Sequence, residues 1–143
     1  RAAKLLKINL TLRSASDASS LQSVLGRMGK NDGEAIIFGS PGLRHRYQAL
    51  VLKWALANGV ALVGSREDVV KQGALFSYSY DFAKVGRLAA GRYVDRVLKG
   101  GNPAEIPIEE VTEYELVVNR SIAQKHHWNL SSAVLVRATK ILD

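Results

Sequence analysis

The chain has 143 residues, and its length and its 47% of hydrophobic residues are typical of one globular domain with a buried core. It has no cysteine, which excludes a disulfide scaffold, a cysteine-ligated zinc site and a cysteine nucleophile. The formal net charge is +7, but the basic residues are dispersed with few aromatic residues between them, which favours a solvated surface over a nucleic-acid interface.

The first 59 residues carry the patterns of two strands and two helices. Apolar residues alternate with polar ones over 6–12, which predicts a half-covered strand. Asp17 can begin a helix whose apolar stripe runs over 21–28. The apolar run 35–38 predicts a buried strand, and the helix after it ends near Gly59.

The remaining residues continue to alternate between strand-like and helix-like segments. Gly100 and Gly101 mark the end of the longest predicted helix, and Asp81 can cap its start. The predicted elements are a buried strand 60–63, a short helix 66–71, a strand 74–78, a long helix 82–98, a strand near 114–118, a helix from about 120, and an amphipathic segment 134–142.

This alternation predicts an α/β fold for residues 1–143 as a single domain. Strands separated by helices form parallel sheets that are covered by helices on both faces. In such sheets, ligands bind beyond the carboxyl ends of the strands. The loops 39–43, 64–67 and 77–81 follow predicted strands, so we expect the ligand site to lie among them.

These loops offer side chains suited to holding a small charged molecule. Arg66 can pair with a carboxylate and Asp81 with an ammonium, while tyrosine rings can form an apolar wall with polar tips. Each has a structural alternative, since Asp81 can be only a helix cap and Arg66 only a solvated helix-start residue. The candidate ligand-binding residues are Ser40, Ser65, Arg66, Ser77, Tyr78, Tyr80 and Asp81.

Catalytic chemistry finds little support in the sequence. There is no nucleophile elbow, Walker loop or dinucleotide fingerprint, and the three histidines do not form a metal-binding pattern. The candidate loops hold no histidine and no evident nucleophile. We therefore predict a protein that is not an enzyme, without catalytic residues, a metal site or a cofactor.

The second half of the chain also carries a series of short segments in a recognisable order. In chain order, they are Gly73-Ala74-Leu75-Phe76-Ser77-Tyr78, Asp81, Arg87-Leu88-Ala89-Ala90, Val94-Asp95-Arg96-Val97-Leu98-Lys99-Gly100, Asn102-Pro103-Ala104-Glu105-Ile106-Pro107, Glu115-Leu116-Val117-Val118-Asn119 and Leu135-Val136-Arg137-Ala138. This series resembles the periplasmic substrate-binding components of ABC importers, in the branch related to aromatic-amino-acid binders. Residues 1–72 fit the preceding part of that family in layout.

The resemblance implies a type I periplasmic-binding-protein fold, in which two α/β lobes joined by a hinge close on a ligand. This chain would correspond to the later portion, mainly the second lobe plus segments that return to the first. The family's ligand-facing segment matches residues 77–81. The resemblance further implies a small polar ligand such as an amino acid, an ABC transporter membrane component as partner, and a periplasmic or extracytoplasmic location.

Two alternatives and one assembly prediction accompany this interpretation. A ligand-sensing regulatory module could use the same fold, and an enzyme with a flavodoxin-like sheet is a more distant possibility. If part of the first lobe is absent, Tyr93, Val97 and Ile122 would lie on uncovered apolar patches. We therefore expect a homodimer or an exchange of elements between two copies of the chain.

Overall fold

The protein is described here by a computed structural model that covers residues 2–29, 32–39 and 41–143. The chain divides into two compact units, Arg1–Ala61 and Leu62–Asp143. The elements of the first unit are helices α1 (Ala2–Leu5), α2 (Ala18–Arg27) and α3 (Pro41–Asn58) and strand β1 (Ala35–Ile37). Strand β2 (Ala61–Gly64) begins at the last residue of this unit.

The predicted helix that follows Asp17 is confirmed, and local hydrogen bonds fix its start. The side chain of Asp17 accepts a hydrogen bond from the Ser20 amide at 2.8 Å. In return, the Ser20 hydroxyl accepts one from the Asp17 amide at 3.1 Å, which completes a capping box. Helix α2 packs against α3. The buried apolar side chains of these two helices are Leu21, Leu25, Val51, Leu52 and Ala55.

The predicted strand over residues 6–12 is wrong. Residues 8–15 form neither helix nor strand, and the four apolar side chains at 6, 8, 10 and 12 are 57–86% exposed. An alternating pattern becomes a strand only where another strand pairs with its backbone and a partner covers its apolar face. Within the described part of the chain, this segment has neither.

Strand β1 confirms the predicted position of a strand but not its predicted burial. Ala35 and Ile37 are exposed, and the side chain of Ile37 is 71% exposed. Only Ile36, which points to the other side of the strand, is half-buried. The apolar run therefore predicted the strand correctly, but its predicted burial is wrong.

The second unit contains most of the strands. They are β2, β3 (Phe76–Ser79), β4 (Glu115–Asn119) and β5 (Lys140–Leu142). The helices of this unit are α4 (Glu67–Lys71), α5 (Phe82–Ala89), a π-helical segment (Ala90–Val94), α6 (Asp95–Leu98), a 3₁₀ turn (Pro103–Glu105), α7 (Arg120–Lys125) and α8 (Ser132–Arg137).

The strands of this unit lie in the order β2-β3-β4-β5 and are mostly parallel, as predicted. Strands β2 and β3 run parallel, as do β4 and β5, whereas β3 and β4 are antiparallel. The antiparallel pair arises because the chain runs back along α5 after the long helix. Glu109 pairs with Arg92, and Glu113 pairs with Lys84, which lies nearer the start of α5. Strand β4 therefore starts at the edge of the sheet where β3 ends.

The core of this unit lies between α4 and the sheet, because α4 packs on β3 and β4. A Cβ atom at Gly64 would lie only 3.2 Å from the Val69 Cβ, so this close approach of strand and helix favours glycine. The buried apolar side chains here are Leu62, Val69, Val70, Ala74, Val117, Val118 and Ala123.

The predicted long helix over 82–98 is confirmed as a continuous series of α5, the π-helical segment and α6, and its π turn had no sequence signal. It ends at Gly100, which has a φ of 91°. The last amphipathic segment is divided between a helix, α8, and a strand, β5. None of the helices in the described ranges has the length and apolar character needed to cross a lipid bilayer.

Candidate functional site

Four strands of the second unit bring their ends to one edge of the sheet. Strands β2 and β3 finish there, while the antiparallel β4 and its parallel neighbour β5 start there. Ser79 at the end of β3 lies opposite Glu115 at the start of β4. The loops after two strands and the first residues of two others therefore surround the same space.

A cleft of about 400 Å³ lies at this edge. Three of the predicted ligand-binding residues, Arg66, Tyr80 and Asp81, line it. Its other lining residues are Glu67, Asp68, Ser79, Phe82, Ala83, Glu115, Val117, Thr139 and Lys140. Two of the loops that the sequence analysis placed at the carboxyl ends of strands, 64–67 and 77–81, thus contribute residues to this cleft.

Asp81 holds the start of α5. Its Oδ1 atom accepts hydrogen bonds from the amides of Ala83 at 2.8 Å and Lys84 at 3.1 Å. Its Oδ2 atom lies 4.0 Å from Nη2 of Arg87, and the side chain is 35% exposed. One oxygen therefore caps the helix, and the other has no hydrogen-bond donor within the described residues.

Arg66 and Asp68, which both line the cleft, form a bidentate ion pair. Nε of Arg66 donates to Oδ1 of Asp68 at 3.1 Å, and Nη2 donates to Oδ2 at 2.6 Å. The hydrogen bonds with Asp68 raise the pKa of the Arg66 guanidinium, and those from Arg66 lower the pKa of the Asp68 carboxyl. The guanidinium is thus already matched to a carboxylate.

A second ion pair joins two other residues of the cleft lining, Glu67 and Lys140. Nζ of Lys140 donates to Oε1 of Glu67 at 2.6 Å, and Lys71 lies 2.8 Å from the same oxygen. The hydrogen bond from Lys140, followed by that from Lys71, lowers the pKa of the Glu67 carboxyl. This pair ties the first turn of α4 to the first residue of β5.

Aromatic rings form a continuous cluster beside Asp81. The ring centroids of Tyr80 and Phe82 are 4.6 Å apart, and those of Tyr80 and Tyr114 are 6.3 Å apart. Tyr78 stacks on Tyr114 with its centroid at 5.2 Å. Tyr78 is exposed and does not line the cleft, so only Tyr80 and Phe82 bring aromatic surface to it.

Two of the predicted serines, Ser65 and Ser77, lie outside the cleft lining. Ser77 is only 1% exposed, and its hydroxyl has no hydrogen-bond partner among the described residues. Ser65 is half-buried and does not line the cleft. Ser40 lies outside the described residues. The structure therefore brings Arg66, Tyr80 and Asp81 together and leaves Ser65 and Ser77 out of the cleft lining.

A buried asparagine fixes the position of α4. Nδ2 of Asn119 donates to the carbonyl of Val70 at 2.9 Å. Its Oδ1 accepts from the Ile122 amide and the Ser121 hydroxyl, each at 2.9 Å, which caps α7. One side chain thus joins the end of α4, which carries Glu67 and Asp68 in its first turn, to the junction of β4 and α7.

The candidate list left out five charged or aromatic residues of this cleft, Glu67, Asp68, Phe82, Glu115 and Lys140, although Glu67 lies within the predicted loop 64–67. The first two follow the candidate Arg66 directly, so the loop itself could have indicated them. Lys140 had no local signal, because its partner Glu67 is 73 positions away in the sequence. No group of three or more potential metal ligands occurs within residues 2–29, 32–39 and 41–143.

A second cavity, of about 680 Å³, lies along α5 and the π-helical segment. Residues 109–115 form its other side. The ion pairs of Lys84 with Glu113 and of Arg92 with Glu109 connect the two sides. The sides are held at two points by exposed charges, whose pairs contribute little to stability.

Comparison with known proteins gives a consistent result. The family model described as ABC transporter substrate binding protein matches residues 1–142. A curated tyrosine-binding protein from Clostridioides difficile (strain R20291) is 33% identical over 70 residues, which are 49% of this chain and 20% of that protein. The chain thus spans far less than the full length of that relative.

Three solved structures share the fold. A conserved domain protein from Vibrio cholerae O1 biovar El Tor matches 98% of this chain and 47% of its own, with a TM-score of 0.81 and 22% identity. An ABC domain in complex with L-Trp from Streptococcus pneumonia matches 87% and 40%, with a TM-score of 0.71 and 22% identity. The ligand-free, open structure of a substrate binding protein with adhesive properties from Clostridium difficile matches 99% and 46%, with a TM-score of 0.66 and 14% identity.

Proposed function

The chain belongs to the family of ABC transporter substrate-binding proteins, and from this premise we propose that it is a solute-binding part of an ABC-type importer whose ligand is an amino acid with an aromatic or aliphatic side chain. Relatives named for tyrosine binding and for a complex with L-Trp support this ligand class. The family and these neighbours are substrate-binding proteins rather than enzymes.

The observation that carries the proposal is the position of Asp81 beside an aromatic wall. Oδ2 of Asp81 has no hydrogen-bond donor among the described residues, with only Nη2 of Arg87 at 4.0 Å, and is the acceptor for the ligand's ammonium group. Its orientation is fixed because Oδ1 is bound by two helix amides. Tyr80 and Phe82 provide apolar surface next to it. A hydrogen bond to a charged group contributes roughly 1.5–3 kcal/mol.

We further propose that the chain is the later portion of a two-lobe binding protein, and its match to only 40–47% of the solved structures it resembles supports a partial binding protein. One lobe supplies only part of the wall around a ligand, whereas a complete pocket covers most of its guest. The mechanism is lobe closure, in which the ligand stabilises the closed population through contacts made only there. The partner is the membrane component of the importer, and the location is periplasmic or extracytoplasmic.

A homodimer stays a prediction. Of the three residues expected on uncovered apolar patches, Val97 is 37% exposed, whereas Tyr93 and Ile122 are half-buried. Light scattering on the chain at high concentration measures the mass directly. A mass of 15.6 kDa would contradict the dimer.

The ligand proposal is tested by nuclear magnetic resonance on the ¹⁵N-labelled chain. L-phenylalanine, L-tryptophan, L-leucine and L-glutamate are titrated to millimolar concentrations, because ~4 kcal/mol of binding free energy corresponds to a millimolar dissociation constant. We expect the amides of Tyr80, Asp81 and Phe82 to shift with the apolar amino acids. If no amino acid shifts these amides, the proposal is overturned.

A matched pair of variants shows whether the shifts come from the cleft. Asp81→Asn removes the carboxylate from the cleft, whereas Asp95→Asn removes a carboxylate that pairs with Lys99 on α6 and does not line the cleft. The first variant is expected to lose the response and the second to keep it. Equal responses in both variants would place the ligand elsewhere.

A further inference from the structure

The charged groups of the cleft are unevenly matched. Among the described residues that line it, there are two cations and four carboxylates. Arg66 is paired with Asp68, and Lys140 is paired with Glu67. Asp81 and Glu115 are left without a cation from the cleft lining. The lining thus holds two more carboxylates than cations, and Nη2 of Arg87, which lies outside the lining, is 4.0 Å from Oδ2 of Asp81, beyond hydrogen-bond distance.

The carboxylate of an amino acid finds no free cation in this cleft. To reach the guanidinium of Arg66, it would have to displace Asp68, which is only two residues away and is held by both prongs of the pair. Displacement would also leave Asp68 unpaired beside the incoming carboxylate. Lys140 is paired through a single hydrogen bond to Oε1 of Glu67, an oxygen that Lys71 also contacts.

The amides at the start of α5 are occupied as well. Those of Ala83 and Lys84 both donate to Oδ1 of Asp81, so the helix start has already taken a carboxylate from its own chain. A ligand carboxylate there would compete with this cap. An ammonium group meets the opposite situation, because Oδ2 of Asp81 has no hydrogen-bond donor within the described residues and aromatic faces lie nearby.

We infer that this cleft recognises the ammonium group and the apolar side chain of its ligand and gains nothing from the carboxylate, so that arylalkyl amines bind it as well as the corresponding amino acids do. The inference rests on the proposed function and narrows it. Any recognition of the carboxylate would then have to come from outside the cleft described here.

Three ligands that differ only in their charged groups test this inference. L-phenylalanine carries both groups, 2-phenylethylamine carries only the ammonium, and 3-phenylpropionate carries only the carboxylate. Each is titrated into the ¹⁵N-labelled chain at neutral pH while the amides of Tyr80, Asp81 and Phe82 are followed. The amine is expected to bind within about threefold of L-phenylalanine or more tightly, and the acid at least about tenfold more weakly, which corresponds to about 1.4 kcal/mol.

The outcomes separate this inference from the proposed function. If L-phenylalanine binds and the amine is at least about tenfold weaker, the inference is overturned while the proposed function stands. The same holds if 3-phenylpropionate binds as tightly as L-phenylalanine. If none of the three ligands shifts the cleft amides, both are overturned.

Discussion

The guanidinium of Arg66 faces the carboxylate of Asp68 along two hydrogen bonds, Nε to Oδ1 at 3.1 Å and Nη2 to Oδ2 at 2.6 Å. Both side chains are about half exposed, so the pair contributes little to the stability of the fold. The pair matters for ligand recognition instead. Because Asp68 occupies the Arg66 guanidinium, this group is no longer available to the ligand carboxylate that the sequence analysis expected it to bind.

Asp68→Ala is expected to free this guanidinium and so to create a carboxylate site. L-phenylalanine should then bind at least about tenfold more tightly relative to 2-phenylethylamine than it does in the unaltered chain, since a charge-assisted hydrogen bond is worth ~1.5–3 kcal/mol. Titrations of the two ligands give the ratio. Asp95→Ala, at an ion pair outside the cleft, is the control and should leave the ratio unchanged. An unchanged ratio in Asp68→Ala would show that Arg66 cannot reach the ligand.

Two substitutions at Asp81 separate its role as a helix cap from its role as a ligand acceptor. Asp81→Asn keeps an oxygen for the amides of Ala83 and Lys84, so the free energy of unfolding should change by less than about 0.5 kcal/mol, while amine binding weakens about tenfold. Asp81→Ala should lose the binding and also about 1 kcal/mol of stability. Urea unfolding and ligand titration measure the two effects. If Asp81→Asn binds the amine as tightly as the unaltered chain does, Asp81 acts only as a helix cap.

The parts of the site that the sequence could predict depend on local signals. Asp81 precedes a helix pattern and follows a strand pattern, so both its cap and its place at the carboxyl edge can be read from neighbouring residues. The pairing of Glu67 with Lys140 depends on how β5 lies beside β4, which no local pattern encodes. The sequence therefore predicted that Arg66 lies at the site, but it did not predict which charged groups of the cleft are paired with one another.

The same distinction explains the fold. Helix α2 was predictable because Asp17 and Ser20 cap it and its apolar stripe is local. The alternation over residues 6–12 is equally clear in the sequence, yet the segment is exposed and unpaired within the described chain. Alternating apolar and polar residues show that a segment can form a strand. Whether it does so depends on a neighbouring strand, which the alternation does not identify.

Asn119→Ala should destabilise the second unit by about 2 kcal/mol, because it removes the cap of α7 and one buried hydrogen bond to the Val70 carbonyl, which keeps its bond from the Gly73 amide. Asn102→Ala is the matched control, since Asn102 caps an exposed 3₁₀ turn through one hydrogen bond, and it should cost less than about 1 kcal/mol. Urea unfolding measures both. Equal losses would show that the bond to Val70 contributes nothing.

The stability of the chain is expected to fall with acid partly through Glu67. Because Lys140 and then Lys71 lower the pKa of this carboxyl in the folded state, its contribution is present above its ordinary value of 4.5 and is lost as the pH falls through the folded value. In Glu67→Gln, the melting temperature should therefore drop less between neutral and strongly acidic pH. Glu110→Gln is the control, since Glu110 forms no ion pair within the described residues. If the melting temperatures of Glu67→Gln and of the unaltered chain fall equally between neutral and acidic pH, this role of Glu67 is contradicted.

Ser77→Ala separates a buried strand residue from a ligand contact. Ser77 belongs to β3, which is paired with β2 on one side and β4 on the other, and its buried hydroxyl has no partner among the described residues. A buried hydroxyl without a partner costs about 1–3 kcal/mol. We therefore expect Ser77→Ala to leave the free energy of unfolding unchanged or to raise it by about 1 kcal/mol, and to leave the affinity for L-phenylalanine unchanged. Ser79→Ala is the comparison, since Ser79 lies two residues further along β3 and lines the cleft. A loss of binding in Ser77→Ala without a loss of stability would show that the hydroxyl reaches the ligand after all, and that the strand shifts when the cleft is filled.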